Sequence, residues 1–202
     1  ATTLAQDDPL PISFDQVSLN GDDIINNPTS LQFGPDDRLY VSQQNGNIYA
    51  FTIARTDNGP DQPGTYTATD IETINIINQQ VQNHNDDGEE NNTQKRQVTG
   101  ILVLGTAENP VLYVTSSDWR ISKANDTGLD TNSGLISRLT WTGSAWERVD
   151  IVRGLSRSEE NHSTNGMDYD ASTNTLYVMS GGHANRGAPS NNLSGTPEYW
   201  TS

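Results

Sequence analysis

Cysteine is absent from this chain of 202 residues, which excludes disulfide bridges and thiolate-bound metals and suits an extracellular or periplasmic bacterial protein as well as a cytosolic one. Basic residues are scarce: 11 Lys and Arg stand against 26 Asp and Glu, a formal charge of −15. Such a field repels nucleic-acid phosphates and anionic lipid, so neither is an expected partner. Long apolar runs are missing too, and nothing approaches the roughly 20 residues of a membrane-spanning helix. Only 32% of residues are hydrophobic, yet charged ones make up only 18%. The polarity therefore comes from Asn, Thr, Ser, Gln and Gly, which build turns and half-exposed strands, and not from the high net charge density of a disordered chain.

The opening Ala1-Thr2-Thr3-Leu4-Ala5-Gln6-Asp7-Asp8-Pro9 carries neither the basic start nor the apolar stretch of a signal peptide. It reads as a mature N-terminus left after cleavage, or simply as the point where the given chain starts. A secreted, extracellular or periplasmic location is the expectation.

What the chain does have is a phrase written three times: a short apolar strand, a turn, then Leu-Tyr-Val. It occurs as Leu31-Gln32-Phe33 leading to Leu39-Tyr40-Val41, as Ile101-Leu102-Val103 leading to Leu112-Tyr113-Val114, and as Met167-Asp168-Tyr169 leading to Leu176-Tyr177-Val178. The tyrosines stand 73 and 64 residues apart. A strand-turn-strand unit at a long, uneven period is how blades of a β-propeller read when the loops between them vary. The expected fold is all-β, a partial propeller of about three blades in a single domain over residues 1–202. Residues 1–27 are a lead-in with a strand at 12–19, and 28–77 form blade one with strands at 31–33, 38–43 and 47–53. The Asn45-Gly46 pair marks a type I′ hairpin turn, because both central positions of that turn need φ above zero. Residues 55–70 read as an insertion, and 71–77 alternate like a half-buried strand.

Residues 78–97 are a polar loop with almost nothing to bury, read either as solvated surface or as a loop over a ligand face. Blade two covers 98–152, with strands at 99–104, 111–116, 134–141 and 145–152. Blade three, 153–202, shows only two strands, at 166–170 and 175–180. Three blades do not close a ring, so another chain or copy is expected to complete it and cover the open strand edges.

Three segments could carry chemistry. The loop between the second and third strands of blade two holds Asp118, Asp126, Asp130 and Asn132, hard oxygen ligands of the kind calcium prefers. The same residues also suit Asx-turns, in which each side chain caps its own backbone. The crossing into blade three holds Glu159-Glu160-Asn161-His162. An imidazole there is suited to general-base work, although a lone His more often serves structure. Beyond the last strand, Gly181-Gly182-His183-Ala184-Asn185-Arg186 supplies a compact basic pair, His183 and Arg186, in an acidic surround.

Phe33-Gly34-Pro35-Asp36-Asp37-Arg38-Leu39-Tyr40-Val41, Arg153-Gly154-Leu155 and above all Asn161-His162-Ser163-Thr164-Asn165-Gly166-Met167, followed by Leu176-Tyr177-Val178 and two glycines, resemble the N-terminal half of the glucose/sorbosone dehydrogenase-like six-bladed propellers. The resemblance implies secreted sugar oxidation with pyrroloquinoline quinone (PQQ) and calcium once further blades are present. It assigns His162 as the base that takes the proton of the sugar's anomeric hydroxyl, with Asn161, His183 and Arg186 facing the cofactor. Two positions depart from the family: Asn161 stands where its catalytic members carry Asp, and Gly182 where they carry the Asp of a Gly-Asp pair. A missing carboxylate removes the group that would orient the imidazole and stabilise its charge. The alternative implied is a non-catalytic scaffold that binds glycan or protein in an extracellular assembly.

Overall fold

The computed structural model describes residues 16–21, 23–60, 62–85, 87–120, 130–157 and 162–182. The chain is all-β, its single short helix among the described residues aside. The first sheet contains β2 (Pro28–Phe33), β3 (Arg38–Gln43), β4 (Ile48–Thr56) and β5 (Thr65–Ile74), joined antiparallel in chain order. A two-residue strand β1 (Leu19–Asn20) adds to β5 in parallel. After helix α1 (Ile76–Gln80) and a minimal ladder of β6 (Asn83–His84) with β7 (Glu90–Asn91), a second antiparallel meander follows. It comprises β8 (Arg96–Gly105), β9 (Pro110–Asp118), β10 (Gly134–Trp141) and β11 (Trp146–Leu155). The hairpin of β12 (Thr164–Asp170) and β13 (Thr175–Ser180) begins a third sheet.

The repeated phrase explains this regularity. In each sheet the strand before the turn pairs with Leu-Tyr-Val in one register: Leu31 faces Val41, Ile101 faces Val114, and Met167 faces Val178. Because side chains alternate, this register sends Ile101, Val103, Leu112 and Val114 to one face of the second sheet. There they meet Tyr40, Ile48, Ala50 and Ile74 of the first in a shared core that α1 closes with Ile76 and Ile77. Each buried aliphatic side chain contributes about 1.5–3 kcal/mol. This core is therefore the main force joining the two sheets.

Strand β8, paired with β9 in its own sheet, touches β2 and β3 of the first sheet and β12 of the third. Polar side chains stitch these joints. Gln32 acts as an extra peptide unit, accepting from the Val103 amide at 2.8 Å and donating to its carbonyl at 3.1 Å. Thr29 donates to Val98 O at 2.8 Å, Thr99 to Thr164 O, and Thr115 to Asn165 O at 2.8 Å. Gly100 permits the second joint, since a Cβ there would lie 2.2 Å from Asn165 O. Toward the outer strands the gap is bridged by longer groups. Trp146 packs on the core and donates from Nε1 to Glu72 at 2.7 Å, and Arg148 reaches Gln80 O at 2.9 Å.

Several local expectations are corrected. The Asn45-Gly46 hairpin forms, but its turn is not type I′: the Gly46 amide donates to Gln43 O at 3.0 Å and only Gly46, at φ 89°, is left-handed. A further closing bond, Gln43 N to Asn47 O at 2.9 Å, makes the connection longer than two residues and lets Asn45 keep a negative φ. Residues 65–70 are strand and not insertion, because β4 runs on to Thr56 and pairs with them. The strand expected at 71–77 ends at Ile74. Ile76 and Ile77 are both buried, and adjacent residues can share one core only if the backbone leaves the strand's alternation. Within the segment 78–97, Asn83 and Arg96 are buried. Of the lead-in strand expected at 12–19, only Leu19 is in a strand among the described residues, and residues 12–15 lie outside them.

Candidate functional site

The two ends of the sheets differ. At one end lie four short hairpin turns, 33–38, 105–110, 141–146 and 170–175, together with the longer 56–65 connection. At the other lie the long connections, 75–96 between sheets, 118–134 inside the second sheet and 155–164 into the third. Loops that need not form a tight hairpin are free to carry chemistry, so the second end is the candidate site.

Three buried arginines organise it: Arg96, Arg120 and Arg157. Asp118, the last residue of β9, takes the Arg120 guanidinium on both carboxylate oxygens, with Nε at 2.9 and 3.0 Å. The same carboxylate accepts the Arg120 amide at 2.9 Å and the Asp130 amide at 3.0 Å. Arg120 goes on to Asn85 Oδ1 at 2.9 Å and His84 O at 3.1 Å, tying the 75–96 connection to the second sheet. Arg96 donates to Asn83 Oδ1 at 3.0 Å and Ser133 O at 2.6 Å. Burial pulls its guanidinium down to about 10, with Asp118 and Asp130 acting the other way. Its Nε has no hydrogen-bond partner among the described residues.

Arg157 was not singled out in the sequence, and it holds the crossing into β12. It donates to Arg120 O at 2.8 Å, Asp118 O at 3.3 Å and His162 O at 3.2 Å, while its amide donates to Thr131 O at 2.8 Å. Burial lowers its pKa from the ordinary arginine value. A fully desolvated cation is stable only when such acceptors surround it. Its polar neighbours, Ser156 and Ser158-Glu159-Glu160, gave no sequence signal of burial.

His162, the expected base, stands two residues before β12, and Gly181 packs on it from the end of β13. Its Nδ1 lies 3.3 Å from Gly182 O. A carbonyl only accepts, so for this contact to be a hydrogen bond Nδ1 must carry a proton. Of the expected calcium set, Asp118, Asp130 and Asn132 come together. As arranged, Asp118 offers its oxygens to Arg120 and to two amides, and Asp130 Oδ1 accepts the Asn132 amide at 3.2 Å in an Asx-turn. Among the described residues no three His, Cys, Asp or Glu side chains are grouped to hold a metal. Asp126, Asn161, His183 and Arg186 lie outside the described residues.

A pocket of about 120 Å³ opens beside this network, lined by His84, Arg96, Asp130, Asn132, Gly134 and Arg153 among others. Burial raises the Asp130 carboxyl above the usual carboxylate range, with the Asn132 amide and Arg96 opposing it. His162 does not line this pocket, although Arg157 links its backbone to the same network. No helix among the described residues is long and apolar enough to cross a membrane. No family model, curated protein or solved structure matches the chain.

Proposed function

We propose that the three sheets are successive blades of a β-propeller and that the chain presents the ligand-binding end of that propeller to a sugar or glycan. One observation carries the blade reading. Neighbouring sheets approach most closely at their first strands, β2, β8 and β12, and are spaced further out by Trp146, Arg148 and α1. Sheets that fan from a common line behave this way. The likeness to sugar-oxidising propellers supplies the ligand class, and the pocket chemistry agrees with it. Each sugar hydroxyl both donates and accepts, and His84, Arg96, Arg153, Asp130 and Asn132 offer both roles around one small pocket.

Saturation-transfer NMR with a panel of neutral hexoses and short glycans tests this reading. A signal from at least one of them should fall on His84→Ala and Arg153→Ala, whose folds are unchanged by near-UV circular dichroism. No signal from any of them with the wild-type chain contradicts it.

A second reading, sugar oxidation, rests on His162 standing two residues before β12, the place that the likeness to sugar-oxidising propellers gives the base. In it His162 would take the proton of the sugar's anomeric hydroxyl, and PQQ, when bound, would supply the two-electron acceptor for the C1 hydride. Dye-linked oxidation with added PQQ and calcium, abolished by His162→Ala, is the expected result. A wild-type rate equal to that of His162→Ala removes the reading.

A further inference from the structure

Repeat-equivalent residues are buried inside the stack and exposed at its two ends. Ile101 and Val103 of β8 are 5% and 3% exposed because the first sheet covers them, whereas their equivalents Leu31 and Phe33 in β2 are 66% and 58% exposed. At the other end the pattern inverts. Tyr40 and Ser42, covered by the second sheet, are fully buried, and their equivalents Tyr177 and Met179 in β13 are 58% and 69% exposed.

We infer that these two end faces are complementary halves of one joint, and that a second copy of this chain occupies them head to tail. The inference rests on the sheets being blades. The internal joint says what covers each face. Whatever sits on Leu31 and Phe33 must present what the first sheet presents to Ile101 and Val103, namely the Leu-Tyr-Val strand's tyrosine face. The described chain carries one such face uncovered, around Tyr177. Donor and acceptor are thus both present on one molecule, the condition for heterologous association of identical copies, which closes a ring or propagates. Each copy carries a formal charge of −15, so the contact is opposed by net repulsion at low salt and tightens as salt screens it.

Sedimentation velocity of the full chain, over a wide concentration range at low and high salt, tests the inference with two blocked variants. One carries Leu31→Glu with Phe33→Glu and the other Tyr177→Glu with Met179→Glu. All four positions are already exposed, so near-UV circular dichroism should match the wild type. The wild type should associate, and each variant alone should lose association by at least about tenfold in dissociation constant. Mixing the two variants should restore a one-to-one complex, because each retains the half the other lacks. A wild type that stays monomeric, or either variant alone still associating as the wild type does, overturns it. The blade reading fails separately: if Gly100→Ala leaves stability unchanged, the second internal joint is not as described, whatever the sedimentation shows.

Discussion

At the scale of single residues, buried arginines do what a larger apolar core would do elsewhere. Arg157 ties three backbone carbonyls from two loops, and removing it leaves those acceptors without their charged donor. Arg157→Met should therefore destabilise by about 3 kcal/mol, since hydrogen bonds to charged groups contribute about 1.5–3 kcal/mol each and the apolar stem is kept. Urea unfolding checks this, and a loss under about 1 kcal/mol would mean water replaces the guanidinium without difficulty. Asp130 gives a pH test. Its folded pKa is raised, chiefly by burial, so the folded state binds the extra proton and stability falls as pH rises through that folded value. Asp130→Asn removes the penalty, so its stability relative to wild type should be greatest at neutral pH and shrink on acidification. A difference that grows on acidification would reverse the sign.

At the scale of elements, strands were readable where one face is apolar and a turn residue bounds them. The strands at 38–43, 134–141 and 175–180 were expected within the limits observed, because Leu-Tyr-Val and Trp141 with Trp146 leave one register open. The segment 65–80 was misread because its signal is tertiary: Thr65 to Asp70 look like a loop until β4 supplies a partner, and Ile76-Ile77 look like a strand until both must face one core. The network at the loop end was half legible. Asp118, Asp130 and Asn132 were singled out as oxygen donors, since sequence shows that oxygens cluster but not that Arg120, Arg96 and Arg157 arrive among them. The joints between sheets make their own predictions. Gly100→Ala should cost about 2–3 kcal/mol, as overpacking against a backbone carbonyl does. Gln32→Ala removes two hydrogen bonds to Val103 and should cost about 1–3 kcal/mol. Both are measured by urea denaturation.

At the scale of the whole molecule, the chain is all-β, and its sheets approach one another most closely at the strands β2, β8 and β12. A continuous core links the first sheet to the second, whereas the third is held on β8 and β9 by β12, largely through Thr99, Thr115 and the close approach at Gly100. The third sheet should therefore exchange its amide hydrogens before β8 and β9 do, with local opening well below global unfolding. Uniform protection across all three would contradict that ordering. The measurement that tests the fan arrangement most directly is a nuclear Overhauser experiment on the isotope-labelled chain, isotope-filtered so that contacts within one molecule are separated from contacts between copies. Cross-peaks should join the Gln32 side-chain amide to the Val103 amide and Gly100 Hα to Asn165. Cross-peaks joining Leu31 or Phe33 to Tyr177 or Met179 within one molecule would show the two end faces folded onto each other, and the fan would be wrong.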